Sequence, residues 1–163
     1  MRLLDGYLDY PVLVDVVAAV LLVALNAVLM HFGVQIVQYE LDAIKDLLNE
    51  LVSSSISLGG FVLTAMAIIA SMRDNTPRLE EDAEPTSGKE YFFNSPAYHQ
   101  LIRAFSWACR VYGGSFLWFC ILRTAAVSMD LGILFHLTYF GLFVSLFTLF
   151  RCIFLVQSVV LIR

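Results

Sequence analysis

Cysteine is scarce in this chain, and its three copies are spaced for neither a metal nor a disulfide framework. Cys109, Cys120 and Cys152 all lie inside apolar blocks, where a thiol packs as a small hydrophobe. Histidine is as scarce. His31, His99 and His136 fall in different segments, and no HExxH, GxSxG, Walker loop or Cys-x-x-Cys accompanies them, so neither a metal site, a cofactor nor an enzyme is expected. Charge is low, 15% of residues, and is mostly kept out of four long stretches. No basic segment precedes the first of these: residues 1–10 carry Asp5 and Asp9, unlike a signal peptide, so this stretch is expected to stay in the mature protein.

What fills the chain is apolar: 60% of its residues are hydrophobic and its mean hydropathy is +0.79. Residues 12–32, 51–72, 101–129 and 131–162 each exceed the about 20 residues that carry a helix across a hydrocarbon core of about 30 Å. The pattern predicts an all-α fold, an integral membrane four-helix bundle, with the single domain 1–163 spanning at about 12–32, 51–72, 101–129 and 131–151 or longer. These spans leave no room in the 163 residues for a separate soluble catalytic domain.

The connections differ in kind. Leu3, Leu4, Tyr7 and Leu8 share a helical face ahead of Pro11 and predict a short interfacial helix. Val37, Leu41, Ile44, Leu48 and Leu51 recur at four and three, with Glu40, Asp42, Lys45, Asp46 and Glu50 on other faces. That is an interfacial amphipathic helix between spans 1 and 2. Because 51–72 makes barely one crossing, this helix should lie along the surface or under a neighbouring subunit, as a structural or gating collar or a plain solvated connector, unless the second span is longer. Residues 73–94 form a mobile cytoplasmic loop, with order resuming at Tyr91 and Ser95–Pro96 starting a helix whose first amides the serine oxygen caps. Arg2, Arg73, Arg78, Lys89, Arg103 and Arg163 collect on one side, against Lys45 and Arg123. The positive-inside rule then puts both termini in the cytoplasm of a cell whose inner membrane holds the chain.

Depth sorts the polar residues inside the spans. Arg73, Arg103, Arg110 and Arg151 gather toward the cytoplasmic side, where arginines offer fixed donors to an anion or ligand, or snorkel to headgroups. Asp15 belongs to the same layer, with Arg110 or Arg151 as its ion-pair partner. His31, Arg123, Asp130 and His136 form an outer layer, the histidines more simply read as structural. Thr138, Gly141, Ser145, Thr148 and Cys152 repeat at three and four on the last span, a seam for close helix approach or for a narrow pore. Smaller seams run through Ser57, Gly60, Thr64, Ala67 and Ser71 and through Ser106, Gly113, Gly114 and Ser115. Asn26 shares a stripe with Asp15 and needs a partner across a helix interface.

The run SSSISLGGFVLTAMAIIASM over 53–72, the polar loop after it and the entry SPAYHQLIRAF over 95–105 resemble small bacterial four-span membrane effectors of antiphage defence. The Hailong-type membrane effector and the membrane subunit of Kiwa are the relevant types. The resemblance implies a homo-oligomer in the lipid bilayer, possibly a tetramer. It would be held closed and then opened to depolarise the cell under a cytoplasmic partner enzyme or a nucleotide or oligonucleotide signal. With the seam and the arginines, this gives an expected non-enzymatic gated ion channel or pore. The alternatives are a membrane scaffold that docks a soluble partner through the 73–100 stretch without conducting and, with no internal repeat to support it, a small solute transporter.

Overall fold

The computed structural model describes residues 11–32, 40–74 and 88–161. Its elements are all helices: α1 (Pro11–His31), α2 (Leu41–Asp74), α3 (Gly88–Phe93), α4 (Pro96–Ala125) and α5 (Leu131–Leu161). The N-terminal interfacial helix and the middle of the 73–94 loop fall outside the described residues, as do Arg2, Arg78 and Arg163.

Three of these helices are long and apolar enough to cross a membrane, over Val12–His31, Leu41–Asp74 and Leu131–Gln157. The fourth expected span, α4, has the length at 30 residues, but Arg103, Arg110 and Arg123 and the Gly113-Gly114-Ser115 break in its apolar surface keep it out of that set.

Packing runs in an arc. α2 lies chiefly on α4, α4 on α5, and α5 on α1, with only slight contact across the diagonals. Two apolar clusters hold the arc together. One joins Ile44, Leu48 and Leu51 of α2 to Phe119 and Leu122 of α4 and to Leu134 and Phe135 of α5. The other joins Val62 of α2 to Leu101, Ala104, Phe105, Ala108 and Tyr112 of α4 and to Cys152 and Leu155 of α5. Early residues of α2 thus meet late residues of α4, which fixes α2, α4 and α5 as antiparallel neighbours.

The first cluster corrects the expectation at residue 51. No break separates an interfacial helix from a second span: Leu41–Asp74 is one helix of 34 residues, about 51 Å long. Its apolar underside at Ile44, Leu48 and Leu51 finds cover on the end of the α4–α5 hairpin, so it has no need to turn onto the membrane surface.

Helix ends differ from expectation in two more places. Span three stops at Ala125, where Ser128 and Met129 donate their amides to the Ala125 carbonyl in a tight turn. Ser95 precedes α4, yet its hydroxyl donates backward to the Phe92 carbonyl at 2.7 Å, leaving Pro96 to start the helix without a side-chain cap. The working cap is Asp130, whose Oδ1 accepts from the amides of Gly132 at 2.9 Å and Ile133 at 3.3 Å at the start of α5.

Gly141 is where α4 and α5 approach most tightly. A Cβ there would lie 2.6 Å from Phe119 Cε1 and 3.0 Å from Trp118 Cδ1, and the Phe119 ring is fully buried with no room to yield. Gly141→Ala is expected to lower stability in detergent by about 1–3 kcal/mol. Gly113→Ala, where a Cβ meets nothing within 4 Å, should be neutral or gain up to about 1 kcal/mol from helix propensity. Denaturant or thermal unfolding of the two variants checks this.

Candidate functional site: a buried polar row with an arginine at its end

α5 carries a polar row along its packed face, and α4 and α1 close over different parts of it. Thr138 donates to the Leu134 carbonyl of its own helix at 2.8 Å, the usual way a hydroxyl is satisfied in an apolar setting. One turn on, Gly141 admits Phe119. Ser145 then donates to Ser115 of α4 at 3.1 Å, and Tyr112 reaches the Ser145 carbonyl at 3.5 Å. Thr148 follows, bonded to the Val144 carbonyl at 2.9 Å and to Asp15 of α1 at 3.4 Å. The row ends at Arg151.

Arg151 NH1 donates to Asp15 Oδ2 at 2.6 Å, and the two side chains are 1% and 3% exposed. Of the two partners open to Asp15 in the sequence, the fold therefore selects Arg151. Charge-assisted bonds of this length are strong, but burying both charges is costly, so much depends on whether the remaining donors are satisfied. They are not: Nε and NH2 of Arg151 are buried with no hydrogen-bond partner. These two nitrogens form the side-on edge of the guanidinium, the fork that grips an oxyanion with two parallel bonds.

α1 contributes little else to this contact. Its buried residues are Asp15 and Ala19, while Leu13, Val17, Leu21, Leu25 and Val28 face outward. Asn26 is half-buried and donates to Met30 Sδ of its own helix at 3.8 Å, where a partner across a helix interface was expected.

The other arginines do not join this row. Arg110 is exposed, its guanidinium 4.8 Å from the centre of the Trp107 ring on the same helix. Arg73 lies 4.8 Å over Tyr98, tying the end of α2 to the start of α4 beside Phe92 and Phe93. Arg103 is exposed. The outer residues stay apart as well. His31 stacks edge-on to Phe32, Arg123 is exposed on the last turn of α4, and His136 uses Nδ1–H to donate to the Gly132 carbonyl at 2.6 Å, which leaves Nε2 buried without a partner. No group of three or more metal-ligating side chains forms among the described residues.

Sequence reading placed Ser115 in a small-residue seam but missed Tyr112 and Trp118 as members of the row. Tyr112 is fully buried and within electrostatic reach of Asp15, Arg151 and Cys152; Trp118 Nε1 donates to the Leu137 carbonyl at 3.2 Å. The signal was present in the three-and-four recurrence of Ala108, Tyr112, Ser115, Phe119 and Leu122, all buried along one face of α4. No protein-family model matches the chain, and neither a curated protein nor a solved structure is significantly similar to it.

Removing one member of the buried pair strands the other charge. Arg151→Met or Asp15→Leu alone is expected to cost about 3–5 kcal/mol, and the double variant much less than the sum. A double-mutant cycle on unfolding in mixed micelles measures the coupling.

Proposed function

We propose that the chain is the subunit of a non-enzymatic, homo-oligomeric membrane channel, with α1, α2, α4 and α5 all crossing the inner membrane and both termini in the cytoplasm. One observation carries the reading: Arg110 is exposed, its guanidinium against Trp107 of its own helix and not inside the bundle, which in the proposed four-span arrangement places it at membrane depth. Ser115 and Ser145 meet across α4 and α5, Arg110 stands five residues before the first and Arg151 six after the second. In antiparallel helices this sets both arginines about 8–9 Å to one side of the serine pair, hence at nearly one depth. An outward arginine there costs about 2.5–3.5 kcal/mol against lipid on insertion scales, so such residues face protein or water.

The outer face of α2 supports an assembly. Ser53, Ser57, Gly60, Thr64, Ala67 and Ser71 recur at four and three, and all six are exposed opposite the face that packs on α4. Ser57 and Thr64 turn their hydroxyls to the carbonyls of Ser53 and Gly60, leaving a smooth surface, and nothing lies within 4 Å of a Cβ at Gly60. Small faces of this kind let helices of neighbouring subunits approach closely. The seam of α5, by contrast, is used up inside the subunit. Control by a cytoplasmic partner enzyme or a nucleotide signal, in antiphage defence, is the part of the proposal that rests on the resemblance at 53–72 and 95–105.

Planar-bilayer recording of the purified protein is expected to give discrete conductance, and Arg110→Gln to lower anion over cation permeability at least twofold. Thr64→Cys should cross-link between subunits under oxidant above the level of the parent chain. A protein that is monomeric by native mass spectrometry and passes no current contradicts the reading and leaves the non-conducting scaffold.

A further inference from the structure

The side-on edge of Arg151 has the donor pattern that suits an anion, and both of its nitrogens are buried without a hydrogen-bond partner. It is nine-tenths buried and more, it lies at the end of a row of hydroxyls, and its one charged contact is made through NH1. A carboxylate that merely neutralised this arginine would gain most by sitting side-on, where two N–H donors point the same way. Asp15 does not sit there. It comes from a helix that buries two of its own residues, and it stands one turn from the start of that helix, so a small outward movement of α1 returns its carboxylate to the aqueous boundary.

We propose that the free edge of Arg151 is a binding site for a small monovalent anion, a halide or nitrate, and that Asp15 is a tethered competitor for the same charge, neutralising it through NH1 in the closed bundle. Monovalency follows from charge: with Asp15 displaced toward the interface, one anion leaves Arg151 neutral, while a dianion would leave a net charge buried at membrane depth. Size follows from burial, since the side chain of Arg151 is 1% exposed and leaves room at its edge for a small ion only. Binding draws α1 off α5 and uncovers Thr148 and Arg151, so the pair acts as a latch between a packed and an opened subunit. The inference deepens the channel reading and rests on it only for its effect on conduction.

The test is thermal unfolding of the full chain in detergent, in potassium gluconate replaced stepwise by chloride, bromide or nitrate at constant ionic strength. Asp15→Asn removes the competitor. It should melt below the wild type in gluconate, be restored by the small anions, and reach half-effect at a concentration at least about tenfold lower than the wild type needs, the gain expected from losing one charge-assisted bond. Asp15→Asn with Arg151→Gln, which removes both charges at similar volume, should show no anion-specific rise. Line broadening of chloride-35, measured on the wild type and this double variant, gives an independent readout if Asp15→Asn alone does not fold: broadening should be seen in the first and lost in the second. Absence of an anion-specific rise in Asp15→Asn, or a rise or broadening that survives in the double variant, overturns the proposal. Because binding is read without a membrane gradient, a chain that binds anions and conducts nothing contradicts the channel and not the site.

Discussion

A guanidinium set among helices at membrane depth has to be paired inside the protein, and the place of α1 follows from that requirement. α2, α4 and α5 hold one another through two apolar clusters that run the length of the arc. α1 belongs to neither. Its buried polar contact is of another kind, the bond from Arg151 to Asp15 with Thr148 beside it. In lipid this division makes sense. Apolar side chains gain little by leaving hydrocarbon for a protein neighbour, so a helix with the composition of α1 is held by polar contacts and by shape rather than by burial.

The same physics explains the rest of the polar row. Thr138, Ser145 and Thr148 each bond a backbone carbonyl or another hydroxyl, which lets them occupy a tight interface without leaving a donor idle. Arg151 is the exception, with the Nε and NH2 edge unpaired. Unsatisfied groups of this kind mark places where a structure has a second arrangement available, since the penalty of leaving them unmade is recovered once a partner arrives. The conformational element attached to this one is α1, the helix with least to lose on moving.

Much of this was legible in the sequence. Four long apolar blocks each fall within one long helix or end a few residues beyond it, with close bounds at 12–32 and 131–162 and a start ten residues late at 51, and the pairing of Asp15 with an arginine followed from two opposite charges. Three features were not legible, each for a physical reason. The amphipathic stretch at Ile44, Leu48 and Leu51 reads the same whether its apolar face meets lipid headgroups or another helix; only the hairpin end beneath it decides for one continuous helix. Asp130 looks like any charge near an interface, although its position directly before α5 makes it a cap. Arg110 and Arg151 are chemically alike, and a shift of helical phase relative to the packed faces sends one outward to Trp107 and the other inward to Asp15. Whether the outward arginine meets a neighbouring subunit is a property of an assembly and leaves no mark within one chain's pattern.

The central claim is that α1 is held to the bundle by the Asp15–Arg151 pair and not by apolar packing. Spin labels at the exposed ends of α1 and α5, with a second pair on α4 and α5 as reference, measure it directly by pulsed electron resonance. The account predicts that Asp15→Asn broadens and lengthens the α1–α5 distance distribution while the α4–α5 distribution is unchanged. An α1–α5 distribution identical to that of the wild type would contradict it.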